Sequence, residues 1–324
     1  MIRRDFLILV GGACAVSLGA HAQKLPSVGF LHSGAANRFR EMLDAFHQGL
    51  SQGGFVEGRN VTIEYRWAGN RVEQLRALAD DLVHKEVDVI FAGGGALPPL
   101  AAKDATSTIP IVFAYGGDPV AYGLVTSWNR PGGNITGTTF MTGELASKRF
   151  ELLAELVPMA KTIAYIFDPR AVTAAQETQK TIAAAQTFKR DVLPIGVRSP
   201  ADLEPVAAAF EQGRAGALFV GPFPVFYAYR EDILKLAERH KVPALYPDSI
   251  FVLNGGLMSY GASTRDNFRQ GGDFVARILN GARPADTPVQ QLTKIELVVN
   301  VRTAKALGLT IPRMIRPRID ELVE

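Results

Sequence analysis

The groups with which this chain could carry out chemistry are its five histidines, its single cysteine and its 32 carboxylates. Their spacing does not assemble a reaction centre. His21, His32, His47, His84 and His240 include no pair at metal-binding spacing on one helix, and there is no HExxH. Met258-Ser259-Tyr260-Gly261 matches a nucleophile elbow only in part, because Leu257 stands where that turn needs glycine. No carboxylate pair has a context suggesting glycoside hydrolysis. Cys14 lies in a stretch read below as a removable leader, so the mature chain has no thiolate for a metal and forms no disulfide. The expectation is a protein that is not an enzyme and that has no metal and no cofactor.

The residues that suit binding sit just after apolar runs. Gly93-Gly94-Gly95-Ala96 follows Val87–Ala92 and precedes a helical stretch. Glycines there let the backbone approach a ligand, and the free N–H groups and positive end of a helix favour a carboxylate. The same glycines also serve a tight strand-to-helix turn with no ligand. The spacing is neither a dinucleotide fingerprint nor a phosphate loop. Ser33, beside Gly34, can donate its hydroxyl to that carboxylate. Asp118 and Asp248 can hold an ammonium group, although Asp118-Pro119 is also an ordinary turn. Tyr115, Phe223, Tyr246 and Tyr260 are candidates for an aromatic sandwich round an apolar ligand, and each is equally suited to a core. Asp168 and Phe140 complete the candidate set.

The elements that must position these groups alternate in type. Short apolar or β-branched runs at Ser27–Leu31, Val61–Tyr65, Val87–Ala92 and Pro110–Ala114 read as strands, separated by helical patterns at Arg40–Gln52, Val72–His84 and Pro98–Thr106. A turn-rich break at 129–134 and an extended stretch, Ile135–Phe140, precede a second round. There helices at Glu144–Leu156, Thr173–Phe188, Pro200–Gln212 and Phe226–His240 alternate with strands at Thr162–Phe167, Val192–Val197, Ala217–Val220 and Pro243–Tyr246. Such alternation implies α/β architecture with parallel sheets, here two Rossmann-like lobes. Two further extended stretches, Gly256–Gly261 and Pro288–Val299, enclose one amphipathic helix, Phe268–Leu279, and a short helix at Thr303–Gly308 follows. The economical path returns that helix to the first lobe. Lobe 1 is then 23–137 plus 262–287, and lobe 2 is 138–258 plus 292–324. A three-segment hinge falls near 136–141, 257–262 and 287–293. In open parallel sheets a ligand lies beyond the carboxyl ends of the strands, which selects the loops at 32–34, 93–96, 115–118, 168–169, 221–223 and 246–248.

Residues 1–22 read as a signal peptide. Arg3 and Arg4 precede an uncharged apolar stretch too short to span a bilayer, and Ala20-His21-Ala22 fits cleavage before Gln23. The Arg-Arg pair, with Phe6 and Leu7, also suits twin-arginine export, and the general secretory route fits as well. With Arg3, Arg4 and Asp5 removed, the net charge drops from +3 to about +2. No basic block marks a nucleic-acid partner.

The whole mature chain is similar to the ABC-transporter substrate-binding family, in the branch that includes tryptophan- and tyrosine-binding members. The resemblance rests on 28–34 (Val-Gly-Phe-Leu-His-Ser-Gly), 54–61, 109–113 with 117–120, 129–137, 255–261 and 304–312. It implies a type I periplasmic binding protein fold with a ligand in the cleft. It further implies a monomeric periplasmic protein that passes a small-molecule ligand, such as an aromatic amino acid, to the membrane permease and ATPase of an importer. A periplasmic sensory module and a secreted enzyme on the same scaffold are the competing readings.

Overall fold

The computed structural model describes residues 24–140 and 145–324. The signal peptide, its cleavage before Gln23 and the export routes lie outside the described residues, as does the expected helix start at Glu144. Among the described residues no helix is long and apolar enough to cross a membrane.

The first round of alternation gives β1 (Ser27–His32), α1 (Arg40–Gln52), β2 (Thr62–Trp67), α2 (Leu75–His84), β3 (Val89–Gly93), α3 (Leu97–Ala105), β4 (Ile111–Tyr115) and β5 (Ile135–Thr139). Strands β1, β3, β4 and β5 are buried along their whole length, as their continuous apolar or small-residue runs require when helices cover both faces. The second round gives α4 (Ala146–Leu156), β6 (Thr162–Phe167), α5 (Ala174–Thr187), β7 (Asp191–Gly196), α6 (Glu204–Glu211), β8 (Ala217–Val220), α7 (Pro224–Ala228), α8 (Arg230–Arg239), β9 (Ala244–Tyr246), α9 (Ser249–Leu253) and β10 (Met258–Gly261). The tail adds α10 (Thr264–Leu279), β11 (Gln290–Gln291), β12 (Glu296–Asn300), α11 (Val301–Ala306) and β13 (Glu321–Val323).

One sheet runs β11-β5-β4-β3-β1-β2 and the other β13-β12-β10-β9-β8-β6-β7. Both rounds wind in the same sense. The strand order reverses between β1 and β3 in the first sheet and between β6 and β8 in the second, and these are the points where such sheets open a crevice. The first sheet is parallel throughout. In the second, β12 lies antiparallel to β10. Its direction follows from its route. β11 runs parallel to β5, and only residues 292–295 separate it from β12, with no helix to carry the chain back. The chain therefore enters the second sheet from the end where the first one finishes.

Helix α10 follows β10 of the second sheet but packs on α1 and the first sheet. Two glycines make this possible. A Cβ at Gly49 would lie 1.8 Å from the Arg269 carbonyl oxygen, and one at Gly272 would lie 2.1 Å from that of Phe46. Helix-interior glycine costs roughly 1 kcal/mol each, and here backbone-to-backbone contact offsets it. Beneath the pair, Phe30, Phe46 and Phe91 pack in edge-on and tilted contacts with ring centroids 4.6–5.2 Å apart.

Two elements differ from expectation. The single helix expected over Phe226–His240 breaks at Tyr229, which leaves helical geometry and caps both α7 and α8. α9 was not expected from the sequence. It is five residues long and is capped by Asp248, whose carboxylate accepts from the Ile250 amide at 2.9 Å.

Candidate ligand cleft

The loops that follow β1, β3, β4, β6 and β8 meet in one cleft between the sheets, of ≈ 1080 Å³ counting its open mouth. From the first sheet come Ser33, Gly94, Gly95, Ala96 and Tyr115, with Phe140 beside them. From the second come Asp168 and Phe223.

Gly94 and Gly95 have φ of +86° and +105°, which only glycine adopts without strain. A Cβ on Gly94 would fall 2.6 Å from Ser33 Oγ. A Cβ on Gly95 would come 3.0 Å from Pro224 on the opposite wall. The turn is therefore also the place where the two walls approach each other. It leads into α3, whose first turn holds Pro98 and Pro99. Among the described residues nothing accepts from the amides of Gly95 and Ala96. Across the cleft, Thr173 at the start of α5 lines the wall as well. Two helix N-termini thus bring positive partial charge to one space.

The side chains divide by whether their polar atoms are already used. Ser33 Oγ donates to the Gly94 carbonyl at 2.5 Å, so its proton secures the turn rather than pointing at a ligand. Asp168 is gripped by Arg170, with Nε and Nη2 donating to the two carboxylate oxygens at 2.9 and 3.1 Å. That bond raises the Arg170 pKa, and the pair leaves the wall close to neutral. His32 is fully buried among Phe39, Trp67 and Phe268. Burial lowers its pKa from 6.5 to about 3, so the ring is neutral. Its Nδ1 accepts from the Gly34 amide at 2.8 Å, which places the proton on Nε2. Nε2 of His32, Oη of Tyr115 and both amide atoms of Asn267 are buried without a hydrogen-bond partner among the described residues. Each such group costs about 1–3 kcal/mol when left unpaired. Burial also raises the Tyr115 pKa, so its phenol keeps its proton.

Five expected residues lie away from the cleft lining. The Gly34 amide is spent on His32, and its α-carbon faces the Phe39 ring. Asp118 closes its own turn, accepting from the Val120 amide at 2.9 Å, the ordinary use of Asp-Pro. Tyr246 is core, stacked on Phe251 at 5.1 Å. Asp248 is buried, with burial raising its pKa, and its second oxygen accepts from the Thr264 amide at 2.8 Å. It caps α9 and ties the end of β9 to the start of α10. Tyr260 lies on β10, where its carbonyl accepts from the buried Arg149 at 2.7 Å.

Conversely, Phe39, Asn70, Arg170, Asn267 and Phe268 line the cleft without having been expected there. For Asn267 a signal exists in the sequence. It shares the stripe of α10 that buries Phe268, Gly271, Val275 and Ile278, and a polar residue on such a stripe asks for a reason.

Comparison with known proteins agrees with this geometry. The profile of the family described as ABC transporter substrate binding protein matches residues 35–323. The chain belongs to that family. Within it, a tyrosine-binding protein of Clostridioides difficile (strain R20291) is 26% identical over 264 residues, covering 82% of this chain and 75% of the relative. Among solved structures, an ABC domain from Streptococcus pneumonia in complex with L-Trp superposes with a TM-score of 0.81 at 22% identity, over 92% of this chain and 100% of the other. A ligand-free, open structure of a substrate binding protein with adhesive properties from Clostridium difficile gives 0.64 at 25% identity, over 92% and 99%. Members of the family are substrate-binding proteins rather than enzymes, work with small-molecule ligands and transporters, and are generally extracytoplasmic.

Proposed function

We propose that this protein is the solute-capturing component of an ABC importer, and that it traps a small carboxylate-bearing, aromatic amino-acid-like ligand between two closing lobes. The observation that carries the reading is the cleft itself, in which strand-end loops of both sheets supply two helix N-termini and aromatic walls around one space. Closure is supported by contacts across the cleft. Arg230 meets Glu41 at 3.3 Å and Arg38 meets Glu231 at 3.5 Å. The poorer superposition on the relative described as open and ligand-free points the same way. The moving bodies are 23–137 plus 262–287 and 138–258 plus 292–324, and the three crossings between the sheets are the hinge. Both lobes gain contacts with the ligand only when closed, so binding shifts the population toward that state. The closed form is what a permease would recognise. Export removes residues 1–22 and delivers the protein to the periplasm.

Calorimetry of the mature protein with L-tryptophan and L-tyrosine, paired with small-angle scattering, tests the reading. Binding with a fall in the radius of gyration supports it. Binding with no change in shape would remove closure, and turnover of the bound compound would replace capture with catalysis.

A further inference from the structure

The unpartnered polar atoms of the cleft are unevenly shared. His32 stands at the end of β1, Tyr115 at the end of β4 and Asn267 in the first turn of α10, and all three belong to the first sheet or to the helix packed on it. Their exposures are 0%, 3% and 1%. Asn267 is the most telling. A side-chain amide offers two donor hydrogens and two acceptor lone pairs, and among the described residues neither end of this one is used. The wall from the second sheet has no counterpart. Asp168 and Arg170 pair with each other, and Tyr227 Oη lies 2.9 Å from Thr264 Oγ1. What remains there is mostly apolar, Val172, Pro222, Phe223 and Pro224, with Thr173 at the start of α5 beside them.

We propose that His32, Tyr115 and Asn267 are the groups that read the ligand's polar head. That head is the adjoining carboxylate and ammonium of an α-amino acid, and the opposite wall packs on its apolar side chain. The inference deepens the function proposed above and rests on it. Donors and acceptors fit this assignment. Nε2–H of His32, O–H of Tyr115 and the N–H₂ of Asn267 are donors on residues that line the same cleft as Gly95 and Ala96, a set that suits a carboxylate. Oδ1 of Asn267 is an acceptor, which suits the neighbouring ammonium. The first lobe then fixes the head before closure, and the second lobe covers what projects from it.

The discriminating experiment pairs affinity with the stability of the ligand-free protein. Asn267→Leu removes an amide whose atoms make no hydrogen bond inside the protein. It should leave the ligand-free melting temperature unchanged or raise it, while weakening L-tryptophan or L-tyrosine by about ten-fold or more, as expected for lost hydrogen bonds to a charged head. Tyr115→Phe should repeat the pattern and guards against a folding failure in the first variant. Tryptamine lacks the carboxylate and indole-3-propionate lacks the ammonium. Both should bind wild type more weakly than L-tryptophan, and loss of the ammonium should cost much less in Asn267→Leu than in wild type. If an amino acid binds wild type and both variants equally, or if the variants lose melting temperature but keep affinity, the assignment falls while capture stands. If no amino acid binds wild type, the amino-acid reading of the cleft falls and takes this inference with it.

Discussion

Replacing His32 offers a quantitative check on the packing of the cleft floor. The ring is neutral in the folded protein because burial lowers its pKa from 6.5 to about 3. The unfolded chain binds a proton there below about pH 6.5, whereas the folded chain does so only near pH 3. Between those values the unfolded state holds the extra proton, so acid favours unfolding. The stability that the neutral ring secures is complete above pH 6.5 and is lost progressively as pH falls toward 3. At about pH 5 the linkage gives a loss of ~2 kcal/mol relative to about pH 8. That figure follows mainly from the unfolded-state value and hardly changes while the folded pKa stays below about 4. His32→Gln keeps an acceptor for the Gly34 amide but has nothing to titrate. Urea unfolding of both proteins at about pH 8 and pH 5 should therefore show wild type losing ~2 kcal/mol more than the variant. Other carboxylates and histidines titrate alike in both proteins and cancel in the difference. Equal losses would mean that His32 is hydrated or paired, and the geometry drawn here for the cleft floor would be wrong.

Two further predictions concern how the lobes are built and held. Gly272→Ala places a Cβ 2.1 Å from the Phe46 carbonyl oxygen, so α10 must lift from α1, and denaturant unfolding should show a loss of ~3 kcal/mol or more. The two ion pairs across the cleft, Glu41–Arg230 and Arg38–Glu231, are partly exposed and are expected to contribute ~0.5 kcal/mol each to the closed state. Arg230→Glu should speed ligand release in stopped-flow measurements, combining it with Glu41→Arg should slow release again, and salt should shrink the difference.

The alternation of strand and helix was legible because buried parallel strands leave continuous apolar runs such as 89–92 and 217–220. What stayed hidden was short or depended on direction. Strand β13 is three residues and largely exposed, so no burial pattern marks it. α9 is announced only by its cap, and Asp248 reads equally well as a ligand group until its two amide partners are seen. The antiparallel course of β12 depends on which end of a sheet the chain enters, which periodicity does not encode. In the cleft, the rule that ligands lie beyond strand ends found the loops at 33, 94–96, 115, 168 and 223. It did not tell Tyr246 from Phe223, since both are buried aromatics and only the turn of the chain decides which one faces the space. It also overlooked Asn267, because the extended stretch before α10 reads as a crossing between lobes rather than as a strand whose end carries a binding loop.

If the ligand's head sits at Asn267 as proposed, α10 gives it a short mechanical route to the crossings between the sheets. The helix begins directly after the chain leaves β10 of the second sheet, and its far end feeds β11, from which the chain crosses again. Its first turn is held from the second lobe twice, by Asp248 accepting from the Thr264 amide at 2.8 Å and by Tyr227 meeting the Thr264 hydroxyl at 2.9 Å. Asn267 closes that same turn, with its own amide bonded to the Ser263 carbonyl at 3.1 Å. A head group held at Asn267 therefore bears on the same helical turn that the second lobe grips. On the proposed reading, a rotation of the lobes that strains the two Thr264 contacts would also disturb the turn that would carry the ligand, so binding and closure would be coupled through that one turn.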